Sequence, residues 1–232
     1  MRRSPSWWGR RLLSVTEVWQ RPLRSDAERN RRLVLEAAAL AFAEEGLDVG
    51  MAEIARRAGV GNATVFRRFP SKEALYEAIV DEKIAELCAA AQRAGEIADP
   101  WDAVVHFLET TAALQARNRG FFQATEHHLL EHPELLRRHR AVLDAVDPLV
   151  VRAQEAGALR DDVTTVDVLG LVKGAVACLP PSPGLRADGW RRPLAILLDA
   201  LRPAAATPLP SPPLSYEEME RALGIEHDDA TG

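Results

Sequence analysis

Apolar residues recur at three- and four-residue spacing along almost the whole chain, and no alternating apolar/polar run persists for five residues or more. This pattern predicts an all-α fold of about nine or ten helices, punctuated by proline, glycine and capping residues. The first helix is expected from about Asp26 to Glu45, with Leu33, Ala37, Leu40 and Ala41 on one face and Gly46 as its stop. Two short stripes follow, Met51, Ile54, Ala55 and Ala58, then Val65 and Phe69, split by "AGVG". Pro70-Ser71 opens a long helix to about Ala94, with Ser71 as N-cap and Glu73 in the first turn, where the helix dipole favours a carboxylate. Asp99-Pro100-Trp101-Asp102 starts the next, with proline at the tolerated first helical position. Further helices are expected from about Gly120 to His132, Pro133 to Ala156 with a bend at Pro148, Thr164 to Leu179, and Asp188 to Leu201. A last short one follows Ser215, which forms a capping box with Glu218. Residues 1–24 read as a flexible arm, because "SPSWWG" and "WQRPL" interrupt any helical period, and Val15 is an alternative first residue. "RPAAATPLPSPP" reads as an extended segment across the surface. The boundaries are therefore 1–24, 25–72, 73–203 and 204–232.

Two helices of about two turns each, joined by a glycine-containing turn, are stable only against a neighbour. Phe42 and Leu40 of the first helix are expected to supply it. Small Ala55 allows close approach, Gly59 accepts a positive φ, and Val60 plugs the corner: this is a helix-turn-helix arrangement. The outer face of its second helix carries Asn62, Ala63, Thr64, Arg67 and Arg68. Amide, hydroxyl and methyl groups can read base edges in a major groove, and arginine can take guanine or phosphate. The bland alternative is a surface αα-corner with a solvated charged face.

Charge sharpens the picture. The 232 residues carry a net charge of -5, yet Met1 to Lys72 holds 14 basic and 8 acidic residues, leaving 15 basic and 26 acidic in the remainder. A basic DNA-facing end and an acidic body follow. Six of the fourteen basic residues precede Ser25, so the sharper signal is local: Arg56, Arg57, Arg67, Arg68 and Lys72 against Glu53 alone. No apolar run approaches the ~20 residues that span a bilayer, and the first residues lack a signal-peptide apolar region, so a cytoplasmic protein without membrane partners is expected. Cys88 and Cys178 lack metal-ligand spacing and read as two buried thiols.

Residues 28 to 75, "ERNRRLVLEAAALAFAEEGLDVGMAEIARRAGVGNATVFRRFPSKEAL", strongly resemble the N-terminal domain of the TetR (tetracycline repressor) family of bacterial transcription regulators, with "EIARRAGV" and "FPSKEAL" as the most specific blocks. The resemblance implies a three-helix helix-turn-helix DNA-binding domain over 25–72, then a helical ligand-binding and dimerisation domain over 73–203. It also implies a homodimer whose recognition helices enter successive major grooves of a pseudo-palindromic operator in double-stranded DNA. It assigns Thr64, Arg67 and Arg68 to the groove and Lys72 to a phosphate, and the DNA-contacting set becomes Gly61, Asn62, Ala63, Thr64, Phe66, Arg67, Arg68 and Lys72. Three positions depart from the family pattern. Gly50 and Gly61 stand where Ser or Thr, and Ser, are usual, and Phe66 stands where a tyrosine hydroxyl commonly reaches a phosphate. A glycine cap costs only a few tenths of a kcal/mol relative to the good caps. The missing hydroxyl predicts modestly weaker binding with unchanged sequence preference.

In the second domain Trp101, Val104, Val105, Leu108 and Thr111 share one helix face, and Phe122, Thr125 and Leu129 another. Both read first as core, which overlaps with pocket lining in such folds. The candidate ligand-binding residues are Trp101, Leu108, Phe122, Glu126, His128 and Leu129. In "ATEHHLLEH", His128 and His132 at i and i+4 beside Glu131 could hold a divalent metal, and His127 is adjacent. A solvated, charged helix end is the plainer reading, so neither a metal nor a cofactor is expected. Gly170, Gly174 and Ala177 form a small-residue stripe, and Trp190, Leu194, Leu197 and Leu201 lie on the next helix. These seven are the expected dimer interface, the alternative being packing within the subunit. No nucleophile–base pair, phosphate-cradling loop or metal quartet is visible, so an enzyme is not expected. The functional expectation is a homodimeric repressor released from its operator by a small-molecule effector. A DNA-binding activator, or a ligand-independent regulator of the same fold, is the alternative.

Overall fold

The computed structural model describes residues 15–123, 133–178, 186 and 188–222. The expected positions Thr125, Glu126, His127, His128, Leu129 and His132 lie outside them. In chain order come α1 (Val15–Glu45), a 3-10 turn (Gly46–Asp48), α2 (Met51–Ala58), α3 (Asn62–Arg68), α4 (Lys72–Gly95) and α5 (Pro100–Arg117). Next are α6, described over 119–123, then α7 (Pro133–Glu155), α8 (Thr165–Ala177), α9 (Arg191–Ala200), a second 3-10 turn (Pro203–Ala205) and α10 (Tyr216–Ala222). The described residues contain no strand, and the fold is all-α.

Local chemistry sets the helix ends. Gly46 and Gly59 take φ values of 73° and 65°, the left-handed region where a side chain is disfavoured. The Ser71 hydroxyl accepts a bond from Ala74 N at 3.1 Å, and Asp99 accepts from Asp102 N at 2.8 Å. Thr164 with Asp167, and Ser215 with Glu218, close reciprocal capping boxes.

Two expectations about α1 are corrected. The helix begins at Val15 and runs through Pro22, so residues 15–24 are not a loose arm. Once the core-packed part is nucleated, each further residue adds a hydrogen bond without a new nucleation cost; Pro22, inside the helix, removes one bond and crowds the carbonyl four residues earlier, a local cost of about 3 kcal/mol. The buried face is also not the expected one. Val34, Leu35, Ala38, Ala41 and Phe42 are buried, whereas Leu33 and Leu40 are 39% and 62% exposed. The run "LVLEAAALAF" offers two apolar stripes about one position apart, and the neighbours choose between them. Phe42, Ile54, Ala55, Val65 and Phe69 then form the core of the first three helices.

α4 belongs to both halves of the molecule. It packs against α1 and, more extensively, against α7 and α5, while α5 meets α8 and α8 meets α9. The seam between the halves is dense. The Phe121 ring lies 6.5 Å from that of Phe42 and 5.8 Å from that of Tyr76. Arg138 of α7 donates to Glu77 at 3.1 Å and to Asp81 at 3.0 Å on α4. At Gly120 the backbone comes so close to α1 that an added Cβ would stand 2.7 Å from the Cβ of Ala43.

Between the second 3-10 turn and α10 the chain is exposed and without regular structure. Arg160, itself buried, bonds to Asp162 and to the carbonyl of Thr207, and the Arg140 guanidinium sits 5.0 Å above the ring of Tyr216. The thiols differ from expectation: Cys88 is half-buried between α4 and α7, and Cys178 is exposed at the C-cap of α8.

Candidate nucleic-acid interface

α2 and α3 are held as a rigid corner before any surface chemistry is considered. Ile54, Ala55 and Val65 are nearly inaccessible, Val60 packs against them, and Gly59 N bonds to Arg56 O at 3.2 Å to close α2. Fixing Val65 and Phe69 inward leaves Asn62, Ala63, Phe66, Arg67 and Arg68 exposed, with Thr64 half-exposed at the edge. Gly50 and Gly61 occupy the N-cap positions of α2 and α3 without side-chain bonds, so the two departures from the usual caps leave the corner intact. Phe66 is 48% exposed, an apolar ring on an otherwise polar face. Lys72 is the first residue of α4, one position after the Ser71 cap, so its backbone is fixed at the same edge.

The five cations counted in the sequence divide into two groups. Arg57 reaches Glu53 at 2.8 Å and Glu44 at 2.6 Å, and it also pairs with Glu45, tying α2 to the end of α1. Arg56 pairs with Glu53 at 2.6 Å. The hydrogen bonds from Arg56, then Arg57, hold the Glu53 carboxyl down at about 2, well below its ordinary 4.5. These two arginines are structural. Among the described residues no ion pair joins Arg67, Arg68 or Lys72 to a carboxylate; Arg67 and Arg68 are exposed and Lys72 is half-buried. A groove of about 380 Å³ runs beside them, between α3 and the residues of α1 that precede Val34, and it is lined by Asp26, Asn30, Arg31, Thr64, Arg67 and Arg68.

The expected ligand-binding residues are not gathered at one point. Leu108 is buried in mid-α5, and Trp101 is buried at the start of α5 with the Arg202 guanidinium 3.7 Å from its ring centroid. Phe122 is half-buried beyond the other end of α5, edge-on to Phe121. An 18-residue helix is roughly 27 Å long, so Trp101 and Phe122 stand at opposite ends of it. The expected dimer set divides likewise. Gly170, Gly174 and Ala177 are exposed, and among the described residues a Cβ added to either glycine would meet nothing within 4 Å, while Arg119 donates to the Ala177 carbonyl at 3.3 Å. Trp190, Leu194 and Leu201 are buried in the subunit's own core, and Leu197 is half-buried. Ile196, 59% exposed on α9, was not anticipated. Gly120 and Phe121 were also missed; the only signal was a glycine beside a Phe-Phe pair, which gives no hint of a partner helix 77 positions earlier. Among the described residues no group of three or more His, Cys, Asp or Glu side chains could hold a metal, and no helix is long and apolar enough to cross a membrane.

Comparison with known proteins places these features. Residues 34–79 match the family model for bacterial regulatory proteins of the tetR family, and residues 99–203 match that for the C-terminal domain of SbtR-like transcriptional regulators. The chain is similar to the crystal structure of a TetR transcription regulatory protein from Mycobacterium vanbaalenii, with 32% identity and a TM-score of 0.57 over 78% of this chain and 99% of that one. It is also similar to the TetR transcriptional regulator SCO0520 from Streptomyces coelicolor, with 30% identity and a TM-score of 0.59 over 75% and 99% of the two chains. An HTH-type transcriptional regulator of Staphylococcus aureus (strain MRSA252) is 39% identical over 71 residues, which span 29% of this chain and 37% of that protein's length.

Proposed function

Because the chain belongs to the TetR family of DNA-binding transcriptional regulators, we propose that it is a homodimeric repressor whose grip on a pseudo-palindromic operator is released by a small-molecule effector. The observation that carries this reading is the sharing of α4. The helix starts with Lys72 at the edge of the DNA-facing corner and ends inside the second domain, where Arg138 and the Phe121 ring brace it. A ligand that moves α7 or α6 relative to α5 therefore moves α4 as well.

In this reading Asn62, Ala63 and Thr64 meet base edges, and Arg67 and Arg68 take guanine or phosphate. Lys72 and the backbone at Gly61 take phosphates. The apolar ring of Phe66 contributes no hydrogen bond. In this reading the second copy docks through the exposed stripe of Gly170, Gly174 and Ala177 and the exposed Ile196 of α9, setting the two α3 helices about one turn of DNA apart, ~34 Å. Effector and operator then oppose each other by the same factor in both directions. On the same reading Leu108, in the middle of α5, and Phe122 are the members of the expected ligand set that sense the effector. The buried Thr111 hydroxyl, without a hydrogen-bond partner among the described residues, adds a polar group to that helix.

The test is selection of bound duplexes from a random pool by the full chain, with an Arg67→Ala, Arg68→Ala variant as control. A two-fold symmetric motif lost in the variant is expected. Equal enrichment by both proteins would overturn the assignment of α3. Operator affinity that no compound from a broad effector panel changes would overturn the release step.

A further inference from the structure

The choice of buried stripe on α1 leaves one large apolar residue outside the core. Leu40 is mostly exposed, although its neighbours Ala38 and Ala41 are fully buried. It borders a groove of about 290 Å³ at the seam between the two halves of the molecule. Ala39 and Ala43, one helical turn apart on α1, line one side, and Ile79 and Lys83, one turn apart on α4, line another. The junction of α5 and α6 contributes Arg117, Gly120 and Phe121.

Packing explains why the space stays open. Gly120 rests against Ala43, which holds α6 to α1 at that point, and the Phe121 ring is committed to Phe42 and Tyr76. One turn earlier, at Ala39, α1 offers only a methyl group, too small to fill the space towards Ile79. A volume of this size, largely apolar with a few polar groups at its edge, stands at the small end of ligand pockets, about 300 Å³.

The charge at its edge is uneven. Glu36 pairs with Arg32 at 3.9 Å, Glu82 with Arg31 at 3.9 Å, and Lys83 with Glu86 at 3.1 Å. Arg117 is exposed and, among the described residues, no ion pair joins it to a carboxylate. The groove thus sets an apolar bed beside one unmatched guanidinium, whose fork of donors fits a carboxylate.

We propose that this groove is a binding site for a small organic anion, its apolar body against Leu40, Ala39 and Ile79 and its carboxylate on Arg117. Neither Leu108 nor Phe122 lines the groove, so the site is separate from the residues given the effector-sensing role. Its walls belong to α1, α4 and the α5–α6 junction, so an occupant touches both halves at once. Occupancy and DNA binding are then coupled by one factor, equal in both directions.

Equilibrium dialysis of the full chain tests the site with 2-naphthoate and its uncharged analogue 2-naphthamide, in wild type, Arg117→Gln, Arg117→Lys and Ala39→Leu. Arg117 is an exposed residue, so its replacement separates ligand contact from folding. One naphthoate per chain is expected, bound ~10-fold more tightly than the amide, because a charge-assisted hydrogen bond is about twice as strong as a neutral one. That preference should vanish in Arg117→Gln and persist in Arg117→Lys, which keeps the charge. Ala39→Leu fills the groove and should weaken both compounds alike. Three results overturn the proposal: no binding up to about 5 mM, equal binding of acid and amide, or a preference that survives Arg117→Gln. Probe binding that Ala39→Leu leaves unchanged, while sedimentation shows an altered oligomeric state, would assign the groove to a second copy and overturn it as well. Saturating naphthoate should also shift the affinity for a random-sequence duplex in wild type and not in Arg117→Gln; an unchanged affinity removes the coupling. Failure of the effector-release reading looks different: operator affinity then ignores every other compound while naphthoate still binds through Arg117.

Discussion

Replacing Gly120 by alanine would put a methyl carbon 2.7 Å from the Cβ of Ala43, about 1 Å inside ordinary van der Waals contact, at the place where the second domain rests on α1. Relieving that overlap costs about 1–3 kcal/mol, against which alanine in a helix gains about 1 kcal/mol over glycine. The single variant should therefore be between neutral and about 2 kcal/mol less stable. Ala43→Gly removes the facing methyl and loses about 1 kcal/mol of helix propensity. The double variant is the informative one. With the Ala43 methyl gone, the nearest atoms to the new Cβ are the backbone Cα and O of residue 43 at 3.5 and 3.7 Å, ordinary contact distances. The new methyl then fills the space vacated by the old one, and the pair should be coupled by about 1–3 kcal/mol. Urea denaturation of the four proteins at one fixed protein concentration measures that coupling. Operator affinity, read in parallel, should fall in Gly120→Ala and recover in the double variant, because the seam sets how the DNA-facing corner sits on α4. Additive stabilities, within about 0.5 kcal/mol, would refute the reasoning by showing that α6 and α1 do not press on each other in solution.

Three further outcomes follow from the same structure. Ser71→Ala removes the bond to Ala74 N at the start of α4 and should lower stability by about 1 kcal/mol, visible as a shift in the urea midpoint. Phe66→Tyr offers a hydroxyl at an exposed position and should strengthen binding by roughly threefold to tenfold for all duplexes alike, a net hydrogen bond of about 1 kcal/mol; a gain confined to one sequence would mean that the ring reads a base. Glu53 is held at about 2 in the fold against an ordinary 4.5, so its ion pairs stabilise fully above about pH 4.5, and that contribution is lost as pH falls from there towards 2. Melting temperatures taken from pH 5 downward should therefore fall more steeply for wild type than for Glu53→Gln, and parallel curves would remove Glu53 from the acid response.

The element pattern was legible because its determinants are local. Gly46, Gly59, Ser71, Pro100 and the Ser215-Glu218 box act within four residues of themselves, and each ends or starts a helix where its chemistry requires. The α2–α3 corner was legible for a related reason: α2 has apolar positions 51, 54, 55 and 58 and α3 has Val65 with Phe69, one face each to bury, so the face of α3 carrying Asn62, Arg67 and Arg68 had to remain outside. The sequence by itself thus determined an all-α chain, the helix-turn-helix and its outward residues.

What the sequence left open depends on neighbours far along the chain. Which of two overlapping stripes of α1 is buried was decided by α2 and α4, and the answer was Val34, Leu35 and Ala38 rather than Leu33 and Leu40. The pairing of Arg56 and Arg57 with Glu53, Glu44 and Glu45 took two of five apparent DNA-binding cations out of play, because charge counting along a chain is blind to which charges meet. In the same way Trp190 and Leu194 were claimed by the subunit's own core while Gly170 and Gly174 stayed exposed. Only the tertiary structure brought Gly120 against Ala43 and laid α1 beside Arg67. Local rules fix where helices start and stop, and long-range packing fixes which of their faces remain available for function.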